Sequence, residues 1–374
     1  MKCNIGKTSL QNMLSKVQGF TEKKSTLPIL SHVLLEAKDD ILQVKATDLH
    51  TSIQVTAPCE VIKPGACAIN GKSFYDVISA LNDQSLQIWV EDNLKAHIHS
   101  SKSKIKMNVM DAEEYPMVEF SDMDKGFPID HSVMKPMIER TIFSIPSASE
   151  SDSKYTLGGA LLTSGKIDAK KGYIEIVSTD TRRLSVVRHV TEKPFDMGGG
   201  IIVPRKGLQE IKRLMDGREE DSSILLTRKS IFFVSPDTLA TVRLIDGKFP
   251  DYQSVVSLDS FPIYTRINAQ ELFSVLKVCV AMVSDLSNCV KFSFQKNRTV
   301  VFANNPDQGE VETPIPSEHF GQELEINFNP RYFMDCLSFI EGETEIRLKG
   351  PQGPCMITDS AETESKWVIM PMRF

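Results

Sequence analysis

The sequence predicts an α+β chain of three similar domains, each built from two amphipathic helices and a set of short strands. Three observations carry this. A chain of 374 residues exceeds one ordinary hydrophobic core and favours two or three domains of roughly 100–200 residues each. Two independent sets of segments recur along it at matching intervals. Within those segments apolar residues repeat at helical spacing, and between them lie short alternating or apolar runs that read as strands.

The first recurring set runs Lys72-Ser73-Phe74-Tyr75-Asp76-Val77-Ile78 to Leu81, then Arg205-Lys206-Gly207-Leu208-Gln209-Glu210-Ile211 to Leu214, then Arg331-Tyr332-Phe333-Met334-Asp335-Cys336-Leu337 to Ile340. Its acidic members Asp76, Glu210 and Asp335 are 134 and 125 positions apart. The second set is Ala46-Thr47-Asp48, Ser178-Thr179-Asp180 and Ala303-Asn304-Asn305, whose third residues are 132 and 125 positions apart. Two markers with the same interval describe one repeated unit.

Each unit opens with a helical pattern: Leu10, Met13, Leu14 and Val17; Met134, Met137, Ile138 and Thr141; Leu272, Leu276, Cys279 and Val283. Spacings of three and four put these residues on one helical face. Strands are expected over Ile29–Leu35, Leu42–Val44, Ile174–Val177, Ile224–Leu226, Ile231–Val234 and Val290–Phe294. Two helices that are apolar on one face only can cover one face of a sheet and leave its other face free. Boundaries are expected near Phe127-Pro128, after an acid-rich stretch, and near Asp259–Pro262, giving domains 1–127, 128–261 and 262–374.

Composition narrows the function classes. The net charge of −6 excludes a protein that grips nucleic acid with its whole surface, so any such contact must come from a local basic patch. No run of about 18 apolar residues could span a bilayer. The N-terminus lacks an apolar secretory core, so the expected location is the cytoplasm, with no membrane partner. Seven scattered cysteines without a metal-ligand spacing read as reduced, mostly buried thiols.

Motifs for chemistry are weak. Gly6-Lys7-Thr8-Ser9 resembles the end of a phosphate-binding loop, but the required upstream glycine falls on Met1 and no strand is expected before it; Thr8 or Ser9 reads better as a helix N-cap. His97 and His99 would share a strand face that could hold a metal, although a solvated pair fits better. Gly198-Gly199-Gly200 precedes a strand and reads as a flexible loop. No Ser/His/Asp or HExxH frame is present, and neither cofactor nor metal is implied. An enzyme built on the repeats lacks a catalytic cluster. A structural or adaptor protein working through the apolar C-terminal end is a third reading, favoured only by a monomeric chain.

Lys135, Arg140, Arg205, Lys206, Lys212, Arg213, Lys277 and Arg331 lie in or beside the expected helices, and Lys23 and Lys24 follow the first one. A solvated face is the ordinary explanation, and phosphate contact the competing one. The apolar end, Val368-Ile369-Met370-Pro371-Met372-Arg373-Phe374, reads as a core strand interrupted by Pro371, or as a groove for partner peptides.

From end to end the chain resembles the bacterial replicative clamp family, the beta subunits of DNA polymerase III. The resemblance rests on Thr26-Leu27-Pro28-Ile29-Leu30 with Ala46-Thr47-Asp48-Leu49; Ser178-Thr179-Asp180 with Arg183-Leu184; Ile202-Val203-Pro204-Arg205-Lys206-Gly207 with Asp246-Gly247-Lys248-Phe249-Pro250-Asp251-Tyr252; and Asn304-Asn305-Pro306 with Met370-Pro371-Met372-Arg373. It implies the clamp fold: a head-to-tail homodimeric ring of six domains, helices lining a hole for double-stranded DNA. The clamp does no bond chemistry and tethers the replicative polymerase, the clamp loader and other proteins that carry a clamp-binding motif.

Carried over residue by residue, DNA contacts fall on Lys24, Lys154, Tyr155, Arg205 and Lys206, with Thr156 where the family often has a second aromatic. The partner-peptide pocket falls on Leu157, Thr179, Arg183, Leu184, Pro250, Val255, Val368, Ile369, Met370, Pro371 and Met372. Thr181-Arg182 stands where Gly-His is common, and Ser254 where an Arg is common. The subunit contact sets Val77, Leu81, Ile105 and Met107 against Ala281 and Met282, with Lys72, Lys102 and Lys104 facing Asp307, Glu310 and Glu312.

Overall fold

The computed structural model describes residues 1–373 except 23–25, 92–93, 118–119, 121–126, 148–154, 195–196, 198, 217–221, 284–287 and 362–363, and at Phe127 and Tyr155 the backbone alone. Among the described residues there are six α-helices, two per repeat: α1 (Lys7–Val17), α2 (Gly71–Ala80), α3 (His131–Glu139), α4 (Arg205–Met215), α5 (Ala269–Met282) and α6 (Pro330–Leu337). None is long and apolar enough to cross a membrane.

The apolar stripes are buried as their spacing requires: Leu10, Met13, Leu14 and Val17 on α1, Met134, Met137 and Ile138 on α3, and Leu272, Leu276 and Cys279 on α5. Thr141 and Val283 lie just past their helices. Asn70, Asn268 and Asn329 cap α2, α5 and α6 by accepting hydrogen bonds from the N–H groups of Ser73, Glu271 and Arg331, which satisfies otherwise orphaned donors.

Two expectations are corrected at the N-terminus. A strand, Lys2–Gly6, does precede the first helix and runs straight into it, leaving no loop whose amides could cradle a phosphate. The N-cap is Gly6 rather than Thr8 or Ser9, because the first helical N–H, that of Lys7, donates to the carbonyl of Gln84 at 3.0 Å. The Ile29–Leu35 strand is also shorter than expected: Pro28–Ser31 forms a 3-10 turn and the strand is His32–Lys38.

The chain divides into two compact units, residues 1–135 with 206–244 and residues 136–205 with 245–374. Each contains one continuous antiparallel sheet, of 13 strands in the first unit and 12 in the second among the described residues. In the first unit the closing strand of the second repeat, Thr238–Arg243, pairs with Thr51–Pro58 of the first repeat, setting Leu239 opposite Gln54. In the second unit the closing strand of the third repeat, Ser365–Ile369, pairs in the same way with Arg183–Thr191, setting Val368 opposite Leu184. The same step is taken twice: a repeat's last strand adds to the strand that follows the Thr-Asp turn of the repeat before it.

That turn explains the second sequence marker. Asp48 accepts hydrogen bonds from the N–H groups of His50 (2.9 Å) and Thr51 (2.5 Å), and Asp180 from those of Arg182 and Arg183 (2.9 Å each). The Thr47 and Thr179 hydroxyls donate to the carbonyls of Thr51 and Arg183 and accept the N–H of Leu49 and Thr181. Leu49 and Thr181 are thereby held at φ +72° and +74°, a conformation that non-glycine residues rarely adopt without such support.

Where α4 meets the sheet, a Cβ on Gly207 would lie 2.2 Å from Cγ1 of the buried Val242. Helix propensity alone would make Gly207→Ala a gain of about 1 kcal/mol. The contact reverses the sign: the variant is expected to lose roughly 1–3 kcal/mol by overpacking. Chemical denaturation measures it, and a stabilised variant would show that the helix can withdraw from the strand.

Candidate functional site

An apolar cluster is assembled in the second unit on the strands around the Asp180 turn. Strand alternation places Leu184 and Val186 on one face of Arg183–Thr191, and Val177 beside them on Gly172–Thr179. Val368, opposite Leu184, joins this face from the C-terminal strand. Leu157, Ile202, Ile245, Phe249, Phe261 and Met356 complete one cluster, with Tyr252, Val256 and Leu161 packed against it. The expected pocket residues Leu157, Leu184 and Val368 are therefore brought together. Ile369 is not; one position further along the strand, it points into the separate core under α5 and α6. Val177 and Val186 were legible as positions two removed from Thr179 and Leu184, whereas Phe249, Ile245 and Met356 come from segments distant in sequence.

The rim is exposed. Pro250 and Val255 lie on the loop over the face, with the Val255 N–H donating to the Tyr252 carbonyl at 3.0 Å. Met370, 43% exposed, leaves the sheet edge with its N–H on the Arg182 carbonyl (2.8 Å), and the Met372 N–H reaches the Asn327 carbonyl (2.8 Å). Pro371 lies beyond the strand, which ends at Ile369, and does not interrupt it. Thr179 and Arg183 belong to the turn itself. The Arg183 guanidinium donates to Asp180 (3.0 Å), to Asp335 and to the Phe143 carbonyl, and stacks 4.3 Å from the Tyr332 ring. Burial disfavours its charge, but the Asp335 and Asp180 carboxylates outweigh this and raise its pKa.

The basic residues are more engaged than their sequence suggests. Lys24 and Lys154 lie outside the described residues, and Tyr155 begins a 3-10 turn, Tyr155–Gly158. The Arg205 guanidinium donates to the Ile145 carbonyl, and the Lys206 ammonium pairs with Asp48. Lys135 pairs with Asp216 at 2.8 Å, while Arg213 pairs with Glu210 and donates to the carbonyls of Ser15 and Lys16. Lys277 and Arg331 are exposed.

The expected subunit-contact residues lie on helices α2 and α5 and on or beside two strands that are each unpaired along part of one side. In the first unit, Lys104–Met110 pairs with Lys95–His99 along residues 104–108, but its other side meets a strand only at Val109 and Met110. Lys102 and Lys104 are exposed there, with Ile105 and Met107 half-buried; Lys72 is exposed on α2, and Val77 and Leu81 are half-buried. In the second unit, Gly309–Phe320 pairs with Arg298–Asn305 up to Pro316 and gains its second neighbour only from Ser317. Asp307, Glu310 and Glu312 are exposed beside it, and Ala281 and Met282 end α5.

His97 and His99 share a strand face as expected, yet the Trp89 indole stacks on His97 (ring centroids 4.9 Å) and meets His99 edge-on (4.3 Å). Among the described residues no group of three His, Cys, Asp or Glu side chains could hold a metal. All seven cysteines are free thiols, and burial pushes Cys3 and Cys67 up to about 12.

Successive thirds of the chain match the N-terminal, central and C-terminal domains of the DNA polymerase III beta subunit, over residues 1–119, 128–251 and 261–373. It is also 31% identical over 374 residues to the beta sliding clamp of Chlamydia muridarum (strain MoPn / Nigg), covering 100% of this chain and 99% of that one. The chain belongs to the DNA polymerase III beta subunit family. Among solved members, the sliding clamp of Bartonella birtlesii bound to griselimycin superposes with a TM-score of 0.91 at 27% identity, and the beta subunit of Pseudomonas aeruginosa with 0.88 at 26%, each covering 100% of both chains. The clamp fold of three similar α+β domains expected from the motifs is thus the fold observed.

Within this clamp fold Asp48 carries a testable charge. Burial opposes its ionisation, but the Lys206 ammonium and the N–H groups of Thr51 and His50 more than compensate and hold its pKa below the ordinary value. A depressed folded-state pKa contributes stability that is complete above the unfolded value of about 3.9 and is lost as pH falls through the folded one. Asp48→Asn is expected to cost about 1 kcal/mol at pH 7, the half-exposed Lys206 limiting the effect. The gap from the parent should shrink as pH is lowered from 7 towards 3 in urea titrations; a gap that widened would reverse the assignment.

Proposed function

We propose that this chain is one subunit of a head-to-tail homodimeric ring that encircles double-stranded DNA in the cytoplasm. The ring tethers the replicative polymerase, the clamp loader and other motif-bearing proteins through the apolar pocket. It acts as a non-catalytic processivity factor, with domains at 1–127, 128–261 and 262–374. The observation that carries the ring is the pair of open edges. Twice within the chain, a repeat's closing strand adds to the strand after the preceding repeat's turn. By the same rule the first repeat's closing strand, Lys104–Met110, adds to Gly309–Phe320 of the third repeat, and each of those two strands is unpaired along part of one side among the described residues.

Their chemistry agrees. Lys104 and Lys106 on one edge meet Glu310 and Glu312 on the other, and Ile105 and Met107 bury against Ala281 and Met282. Open edges of this kind pair readily with another chain, and cross-strand pairs of opposite charge favour one register. A heterologous contact closes into a ring only for particular rotations, and membership of the clamp family supports closure at two chains.

Topology rather than affinity then keeps the ring on DNA. Lys24, Lys154, Tyr155, Arg205 and Lys206 are the proposed DNA contacts. Because Lys206 is shared with Asp48, these contacts are individually weak and salt-dependent, which permits sliding. Griselimycin, bound by the Bartonella birtlesii relative, is proposed to occupy the pocket lined by Leu157, Leu184 and Val368, with Thr179, Arg183, Pro250, Val255, Ile369, Met370, Pro371 and Met372 around it.

Light scattering should give a dimer for the parent. The double reversal Lys104→Glu with Lys106→Glu should weaken it roughly tenfold or more, and adding Glu310→Lys with Glu312→Lys should restore it; a reversal that leaves the dimer mass untouched would remove this interface. Loaded rings should persist on circular DNA and run off linear DNA at moderate salt, and equal retention on both would sink the topological mechanism. Leu184→Ala with Met370→Ala should weaken griselimycin binding about tenfold or more without opening the dimer, and undiminished affinity would relocate the site.

A further inference from the structure

We propose that Glu175 is a positioning residue for the pocket: through Tyr252 it holds the 246–256 loop, with Pro250 and Val255, against the sheet so that an apolar peptide anchor is enclosed. The proposal rests on the pocket reading above.

The two strands beneath the loop change character along their length. Thr179 stands opposite Leu184 and Val177 opposite Val186, but the next pair on the same face is Glu175 opposite Arg188. Glu175 is only 3% exposed. A carboxylate so placed would be strongly unfavourable without partners, and it has three donors. One oxygen accepts from Nε (2.9 Å) and Nη2 (2.8 Å) of Arg188; the other accepts from the Tyr252 hydroxyl at 2.5 Å. The Arg188 guanidinium itself lies over the Tyr173 ring, 4.1 Å from its centroid, and its two bonds to one oxygen orient the carboxylate.

Tyr252 spans the boundary between the two halves of the face. Its body packs on the apolar cluster that contains Leu157, Leu184 and Val368, and its hydroxyl reaches the charged end. Burial and the adjacent carboxylate raise the hydroxyl's pKa, so it remains a donor throughout the neutral range. Three residues on, the Val255 N–H returns to the Tyr252 carbonyl at 3.0 Å, and Pro250 stands two residues before. Pro250 and Val255 therefore flank a side chain whose hydroxyl is fixed by Glu175, while Phe249 and Val256 of the same loop pack on the apolar cluster. The loop's other contacts with the cluster are apolar, and apolar contact tolerates sliding in a way that a charge-assisted hydrogen bond does not.

The test uses the full-length dimer with labelled griselimycin as the probe, together with hydrogen exchange across 246–256 and the thermal midpoint. Tyr252→Phe, which removes one oxygen, and Glu175→Ala should each weaken binding about tenfold and speed exchange of the Val255 N–H, while exchange in α4 and α6 stays at the parent rate. Glu175→Gln keeps an acceptor for the hydroxyl and should recover binding to within about threefold. Leu184→Ala should lose affinity without changing Val255 exchange, which separates loss of a wall from loss of the latch. Binding within twofold of the parent in both Tyr252→Phe and Glu175→Ala would overturn the proposal, as would an affinity loss that merely follows global destabilisation. A parent that fails to bind griselimycin would sink the pocket reading, and the Val255 exchange rates would still decide whether Glu175 holds the loop.

Discussion

Backbone hydrogen bonding across repeat junctions is the constraint on which the rest depends. A strand at a sheet edge presents a row of N–H and carbonyl groups that must find partners or water. In this chain the closing strands of the second and third repeats find theirs on the strand behind a Thr-Asp turn. The turn ends one strand, begins the next and so fixes where an incoming strand can lie. Sheet continuity, the apolar cluster at the second junction and the part-unpaired sides of Lys104–Met110 and Gly309–Phe320 all follow from that one rule.

Side chains lock the junctions with acid and arginine. Glu210 pairs with Arg213, whose guanidinium also takes the last carbonyls of α1. The approach is close enough that a Cβ on Gly19 would lie 1.9 Å from the Glu210 carboxylate. Asp335 pairs with Arg183 at the second junction. Buried or half-buried pairs of this kind are costly to break singly, so they specify registry more than they add net stability. Asp76, the equivalent acid of the first repeat, is exposed.

The pocket follows from the same geometry. An apolar face formed where one repeat's strand meets the next has a rim made of whatever leaves the sheet there: the turn at 180–182, the loop at 246–256 and the tail from Met370. The tail does not fray, because its Met370 and Met372 amides are tied to the Arg182 and Asn327 carbonyls. Adaptable methionine on a fixed backbone suits a surface that meets several apolar partners.

The sequence by itself determined the three repeats, the six helices with their buried stripes, a minority of the strands and the family. These depend on local periodicity and on spacing, which are properties of the chain read in one dimension. It placed the N-cap of α1 wrongly, since that depends on a distant partner, the Gln84 carbonyl, and it ran the His32–Lys38 strand back through the adjacent turn Pro28–Ser31. It counted basic residues without seeing that Lys206, Arg205 and Arg213 are held by Asp48, Ile145 and Glu210. Ile369 was grouped with its neighbour Val368 although alternation sends the two to opposite faces. Only the tertiary structure gathered Phe249, Ile245 and Met356 into one cluster with Leu184, buried Glu175 under Tyr252 and left Lys104–Met110 and Gly309–Phe320 part-unpaired. Each of these is a contact between segments far apart in the chain, fixed by which strands pair, and no local pattern encodes that choice.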